Sequence, residues 1–448
     1  MERECIKKLI GWKNSRKRKP IVLMGARQVG KTWLMEEFAK REFGDDYVVV
    51  NFMRRRSLCR QLKTMDLEPT ALVRILQTAT GRRIIPGQTL LILDEIQECP
   101  SALTGLKFFY EDMPNLAVMA AGSLLGLSYG KKDENASSDG EDRGSFPVGK
   151  VDRLNVYPMS FSEFLVANGK GSFLEAIDVG DWQSVEALSD EFESLLKNYF
   201  IVGGMPEAIG DWLETGSVAE SRKTQLRILA DYEDDFKKHA PIELLPKIRL
   251  VWQSIPAQLA KENEKFCYAN VRRGARARDY ESALEWLTDA GMMYQLKRVC
   301  PPGLPIVRYM NSGSFKVFVH DVGLLCAMSA VDPAIVLDKN ALFTHFKGAL
   351  AEQFVLQELK TLGVESGYWS PDEGISEVDF VVQGRNGVYP VEVKSATNTK
   401  AKSMGVYMAA YKPPFAVKTS LKNFSTSRDV RSLPLYAFSQ WIGRWIQA

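Results

Sequence analysis

The eight residues Gly25-Ala26-Arg27-Gln28-Val29-Gly30-Lys31-Thr32 constrain this chain more than any other feature. They fit G-x-x-x-x-G-K-[ST] at every fixed position, after the apolar run 21–24 and before a helical pattern over 31–40. Strand, glycine loop and helix in that order make a phosphate-binding loop on a parallel sheet. The glycines let the backbone wind closely around phosphates, and successive N–H groups with the helix N-terminus supply positive potential. Lys31 is placed to reach the β- and γ-phosphates, and Thr32 offers a hydroxyl to magnesium. ATP and Mg2+ are the cofactors implied.

Such a loop needs an acidic partner at the end of another buried strand. The run 90–93 ends in Asp94-Glu95, so Asp94 is the expected metal-side carboxylate and Glu95 the base that polarises the attacking water. A strand over 117–121 leads to Ser123, placed at the sheet edge where ligands bind. Apolar runs at 47–52 and 154–156 alternate with helical stretches, which gives an α/β layered sheet with buried parallel strands. The segment 130–145 is polar, acidic on balance and expected to be a mobile loop inserted in this first domain.

A chain of 448 residues has room for about three such domains. With 58 basic and 55 acidic residues its net charge is +3, which excludes a chain basic throughout and leaves any nucleic-acid patch to be found locally. The six cysteines include no C-x-x-C pair and there are three histidines, so zinc fingers and iron–sulfur clusters are not expected. No run approaches 18 consecutive apolar residues and the start has no signal-peptide core; the expectation is a cytoplasmic protein with no membrane partner.

Residues 161–240 read as helical, interrupted at Gly203-Gly204-Met205-Pro206. Two helices with a basic turn between them, then a strand toward 299, suggest a winged-helix module. The turn holds Arg272, Arg273, Arg276 and Arg278, a local patch suited to DNA or RNA phosphates. Further on, Glu352 lies on a helix, Asp379 in SEVDFVV, and Glu392 with Lys394 in VEVK. Glu392 and Lys394 are two apart and share a strand face, and the turn GRNG lets the preceding strand bring Asp379 alongside. Asp379 and Glu392 can then hold magnesium while Lys394 orients water and stabilises charge on phosphorus.

The ordered set GARQVGKT, LLILDEIQECP, AAGSLLG, NVYPMSFSEFL, VGGMPEAI and FKVFVHDVGLL resembles bacterial and archaeal AAA-superfamily ATP-binding proteins with a C-terminal domain long labelled as of unknown function. The first two motifs are generic to P-loop ATPases; YPMSFSEFL and GGMPEA point to this group. The resemblance implies an AAA-type P-loop (Walker A) ATPase domain over 1–160, a helical lid and winged-helix region over 161–310, and a restriction-endonuclease-like domain over 311–448. The last resembles the PD-(D/E)XK nucleases, with Glu352 as the helix carboxylate that completes the site. The implied function is Mg-dependent ATP hydrolysis coupled to action on DNA or RNA; the alternative is an ATP-dependent switch whose nuclease-like domain binds a partner without cutting. Many members have Gly-Arg where this chain has Gly149-Lys150 and then Arg153, and lysine lacks a bidentate fork, so no arginine finger is assigned among Lys150, Arg153 and Arg222. Homo-oligomer formation, common among AAA relatives, stays open for the same reason.

Overall fold

Ile21–Met24 (β1) is the strand around which the first sheet is organised. The computed structural model describes residues 1–65, 67–123, 146–260, 265–333, 336, 344–394 and 402–447. The chain divides into two units, one of Arg3–Val156 with Asp289–Gly291, the other of Met1–Glu2, Tyr157–Thr288 and Met292–Ala448.

In the first unit β1 is followed by Tyr47–Asn51 (β2), Leu90–Asp94 (β3), Ala117–Ala121 (β4) and Asp152–Asn155 (β5). All neighbours pair in parallel, in the spatial order β2-β3-β4-β1-β5. Both β3 and β4 are buried along their whole length, as uninterrupted apolar strands in the middle of a two-faced sheet must be. At one edge β2 alternates buried and half-buried residues, which is what Tyr47, Val49 and Asn51 at every second position dictate. The chain leaves β1 to the far edge and returns through β3 and β4, so the loops after β1, β3 and β4 end on one rim of the sheet, the rim where such folds bind ligands. The acidic stretch 130–145 lies outside the described residues.

The second unit begins with helices Phe161–Ala167, Gly171–Val179, Trp182–Ala187, Ser189–Val202, Pro206–Thr215 and Val218–His239. Ser160 and Glu163 form a reciprocal capping box that starts the first of them. Helices Leu245–Leu259, Tyr268–Val271 and Ala277–Asp289 precede Met293–Val299 (β6) and Met310–Val319 (β7), an antiparallel pair. Lys265 bridges to Lys316 of β7 on that strand's other side. Helix Thr344–Leu362 then leads to Ser366–Trp369 (β8), Val378–Gly384 (β9) and Gly387–Val393 (β10), successive neighbours paired antiparallel. Helix Lys402–Tyr411 crosses to Ala416–Ser420 (β11), parallel to β10, and Ser425–Thr426 (β12), Val430–Pro434 (β13) and helix Phe438–Gln447 complete the unit.

These strands form one sheet in the order β12-β13-β11-β10-β9-β8-β6-β7. The join is the parallel pair Arg298–Tyr368, held by the Arg298 guanidinium on the Ser370 carbonyl and on Asp372. Gly367 permits it, since a Cβ there would lie 2.6 Å from the Lys297 carbonyl oxygen. The division expected at 310/311 therefore falls at the start of β7, whose partner is β6. The hairpin and the following strands thus share one sheet across that division.

The segments YPMSFSEF, VGGMPEA and VHDVGLL meet in the core of this unit. Met159 N–H donates to the Gly204 carbonyl at 2.7 Å, Tyr199 donates its hydroxyl to the Met159 carbonyl, and Phe161 N–H donates to Glu358 at 2.9 Å. Asp321 accepts from Gly204 N–H at 2.6 Å and Leu324 N–H at 2.9 Å. Gln225 donates to the carbonyls of Ile201 and Val202, and Gln357 joins Tyr199 to Val322. Buried polar groups must be paired, and here the pairs run between motifs distant in the chain.

Candidate functional site

The phosphate loop follows from backbone conformations that few residues adopt. Gly25 has φ +140°, Gln28 +66° and Gly30 +89°. At Gly25 a Cβ would stand 2.1 Å from the Val156 carbonyl oxygen, so glycine is required both by conformation and by space. Ala26 and Val29 are buried, and Arg3 clamps the loop by donating to the Val29 carbonyl at 3.0 Å. Lys31, the first residue of helix Lys31–Phe43, donates to the carbonyls of Gly25 at 2.8 Å and Ala26 at 2.7 Å. Burial pulls its ammonium down to about 8, opposed by Glu95 and Asp94 and assisted by Arg27.

Thr32 donates its hydroxyl to both oxygens of Asp94, at 3.2 Å each, so the two residues expected at the metal are in contact. A hydroxyl and a carboxylate are the hard oxygen donors that magnesium takes, its remaining positions being filled by water and phosphate. Asp94 is buried, and burial followed by the neighbouring Glu95 raises its pKa, while hydrogen bonds from Asn51 and Thr32 lower it. Asn51 was not legible as a site residue. It ends β2 opposite Asp94 and donates to Asp94 Oδ2 at 2.9 Å. A polar residue closing an apolar strand was the signal available. Glu95 is half-buried with φ +50°, and its carboxylate accepts from Gln97. Ser123 is buried just past β4, on the same rim.

Of the arginine-finger positions, Lys150 pairs with Glu111 at 2.7 Å and Arg153 lies over the Phe146 ring at 4.3 Å. Arg222 stands on helix Val218–His239 with its guanidinium nitrogens out of water and, among the described residues, without a hydrogen-bond partner.

In the second unit the four residues expected to converge do so. Val391 pairs with Phe380, which sets Glu392 of β10 beside Asp379 of β9. Asp379 accepts from Val393 N–H at 2.7 Å, and Lys394 lies 2.7 Å from Glu392 Oε1 and 4.0 Å from Asp379 Oδ2. Glu352 reaches the same cluster from its helix: burial first, then Glu352 and Glu392, push the Asp379 carboxyl well above the carboxylate range. Burial alone would lower Lys394, yet Asp379 and Glu392 hold it above the ordinary ammonium value. Glu392 Oε2 is buried and, among the described residues, has no hydrogen-bond partner, leaving an acceptor that a cation would satisfy. Among the described residues no three His, Cys, Asp or Glu side chains form a metal cage. The donor set fits magnesium, which binds through one or two carboxylates and keeps its waters.

Two members of this cluster were missed. Lys316 of β7 is 1% exposed and contacts Glu352 Oε2 at 3.4 Å and Glu377 Oε1 at 2.8 Å. A lysine inside the apolar strand FKVFV was its signal, as was Glu377 two residues before Asp379. Arg272, Arg273 and Arg276 are exposed before helix Ala277–Asp289, and Arg278 is exposed in its first turn.

A phosphate loop, an acidic strand two places away in a parallel sheet, and a Thr–Asp pair between them define a P-loop nucleotide-binding domain. Residues 17–165 match the family model described as AAA domain, and this part of the chain is an AAA-superfamily P-loop ATPase domain. Residues 193–334 and 347–438 each match a family model described as a domain of unknown function. No curated protein matches the chain. Among solved structures, the Walker-type ATPase of Pyrococcus abyssi is 14% identical, covering 73% of this chain and 95% of that one, with a TM-score of 0.42. The Aeropyrum pernix ORC1 protein in complex with DNA is 13% identical, covering 74% and 92%, with a TM-score of 0.28. AMPPCP-bound DnaA from Aquifex aeolicus is 13% identical, covering 64% and 86%, with a TM-score of 0.27. Among the described residues no helix is long and apolar enough to cross a membrane.

Proposed function

We propose that this protein hydrolyses ATP in its first unit and acts on nucleic acid through the carboxylate–lysine cluster of the second. The observation that carries the reading is the convergence of Asp379, Glu392 and Lys394 with the helix carboxylate Glu352, from three separate elements, around Glu392 Oε2, a buried oxygen without a hydrogen-bond partner among the described residues.

In the ATPase unit, Lys31 and the N–H groups of residues 25–32 hold the phosphates, Thr32 and Asp94 hold magnesium, and Asn51 fixes the Asp94 carboxylate. Glu95 takes the proton of the attacking water. Bound magnesium supplies charge neutralisation at the phosphate oxygens. Ser123 lies on the rim where the γ-phosphate would sit.

The order helix, three antiparallel strands, helix, parallel strand over 344–420 supports the nuclease-like reading of the C-terminal region. There Asp379 and Glu392 hold the metal ion, and Lys394 positions the water and stabilises negative charge on phosphorus. The helices of 245–289 with the β6–β7 pair support a winged helix, and the exposed arginines 272–278 give it a phosphate-facing edge. The second reading, an ATP-dependent switch with a non-cutting C-terminal domain, draws on the ion pairs that already engage Lys394 and Lys316.

ATP turnover should disappear in Lys31→Ala and fall by at least about 100-fold in Glu95→Gln. Full turnover in both variants removes the ATPase assignment. Metal-dependent cleavage of DNA or RNA that vanishes in Lys394→Ala selects the nuclease reading over the switch.

A further inference from the structure

Lys316 stands where a strand lysine ordinarily does not. A lysine on a sheet sends its amine to water along a flexible stem, but Lys316 is enclosed, with side-chain exposure of 2%. Its ammonium lies between Glu352 and Glu377, and 5.5 Å from the centre of the Tyr368 ring. Lys316 belongs to β7, while Glu352 comes from helix Thr344–Leu362 and Glu377 from the residue before β9.

The cluster thus holds four carboxylates and two ammonium groups, each ammonium lying closest to a different pair of carboxylates. Lys394 serves Glu392 and Asp379. Lys316 serves Glu352 and Glu377. Among the described residues Glu392 Oε2 is left as a buried oxygen without a hydrogen-bond partner. Phosphoryl-transfer sites with two metal ions need carboxylates to hold ions about 3.5–4 Å apart. Glu392 and Asp379 also face an ammonium, but Lys394 is 29% exposed and can withdraw toward water. Lys316 is enclosed at 2%, so a cation added at Glu352 would face a fixed like charge at close range.

Resting on the nuclease-like reading of this cluster, we infer that Lys316 is a built-in counter-charge, so that the site takes one divalent cation, at Asp379 and Glu392, and not two. The lysine acts through Glu352 and Glu377 and is a positioning residue. Its place on β7 also means that the β6–β7 pair completes the electrostatics of the site.

The test is a titration of the nucleotide-free full-length protein with Mn2+, bound ions being counted by electron paramagnetic resonance. Wild type should bind one ion per chain more than Asp379→Asn; a difference of two, or none, overturns the inference. Lys316→Met should bind the ion at least about tenfold more tightly, since a nearby like charge is gone. Where that variant does not fold, Glu377→Gln serves, since it keeps the ammonium and removes one of its partners. It should weaken the ion at least about threefold. Unchanged affinity in the variant used overturns the inference. Ion counting does not depend on cleavage. One ion bound without cleavage retains the counter-charge and removes the nuclease; two ions bound with cleavage does the reverse.

Discussion

The carboxylate of Asp321 accepts a 2.6 Å hydrogen bond from the backbone N–H of Gly204, 117 positions away in the chain. That bond ties VGGMPEA to VHDVGLL and leaves no room for a side chain at the neighbouring glycine. A Cβ on Gly203 would lie 2.3 Å from Asp321 Oδ1 and 2.8 Å from Gly323 Cα, at φ +73°. Gly203→Ala should lower stability by at least ~3 kcal/mol. Gly216→Ala, at φ +65° with nothing within 4 Å, should cost only ~1 kcal/mol. Chemical unfolding midpoints compare the two, and equal losses would contradict the packing described.

The same contact sets a pH response. His320 is buried, bonded to the Met292 carbonyl, and burial pulls it down to about 4; Asp321 is pushed up to about 6 by burial, against backbone hydrogen bonds. The depressed histidine favours folding above its unfolded pKa of about 6.5, and that benefit drains away as pH falls toward 4. The raised aspartate favours folding below about 3.8, and that benefit is lost as pH rises through 6. Between pH 4 and 6 the two slopes oppose each other, each spanning roughly 3 kcal/mol. Asp321→Asn should therefore make the protein acid-sensitive in this window, and His320→Gln should make it gain stability on acidification relative to wild type. Parallel pH–stability curves for all three proteins would sink this.

Lys31 at about 8 makes nucleotide affinity alkaline-sensitive. Only the ammonium attracts phosphate, so the Kd of a non-hydrolysable ATP analogue should rise above pH 8, approaching about tenfold per pH unit. Lys31→Arg should bind with a flat profile between pH 7.5 and 9.5. Calorimetry at five pH values decides it, and a flat wild-type curve counts against the buried lysine.

Asn51 holds Asp94 in place from the adjacent strand, so Asn51→Ala should reduce turnover by about 10–100-fold, as loss of a residue orienting a metal ligand does. The loss should appear as a raised Mg2+ requirement at unchanged stability. Turnover with wild-type Mg2+ dependence would show that Asn51 only packs.

Exposed arginines 272, 273, 276 and 278 give the salt test. With all four changed to Ala, the slope of log affinity against log salt for duplex DNA should flatten by about 2–4, near 0.9 per lost phosphate contact. An unaltered slope would take nucleic acid away from this turn.

The phosphate loop and Asp94 were legible because glycine geometry and an acidic strand end are local, and the rest of a P-loop sheet follows from them. Asp379, Glu392 and Lys394 were legible because strand period puts alternate residues on one face. Asn51 and Lys316 were not, because each acts across a strand pairing whose register no local pattern encodes. The motifs VGGMPEA and VHDVGLL read as marks of a group; their physical content, a buried polar core around Asp321, appears only when distant segments meet. The β6–β8 pairing, which carries one sheet across 310/311, is of the same non-local kind.

The most direct measurement is cleavage of labelled single- and double-stranded DNA and RNA by wild type and Asp379→Ala, each with and without ATP and Mg2+. Wild type should cut at least one of these substrates, only with Mg2+, and Asp379→Ala should lose about 100-fold or more while keeping ATP turnover. Equal cutting by both proteins, or none by wild type across all conditions, contradicts the assignment of the carboxylate–lysine cluster as a nuclease site.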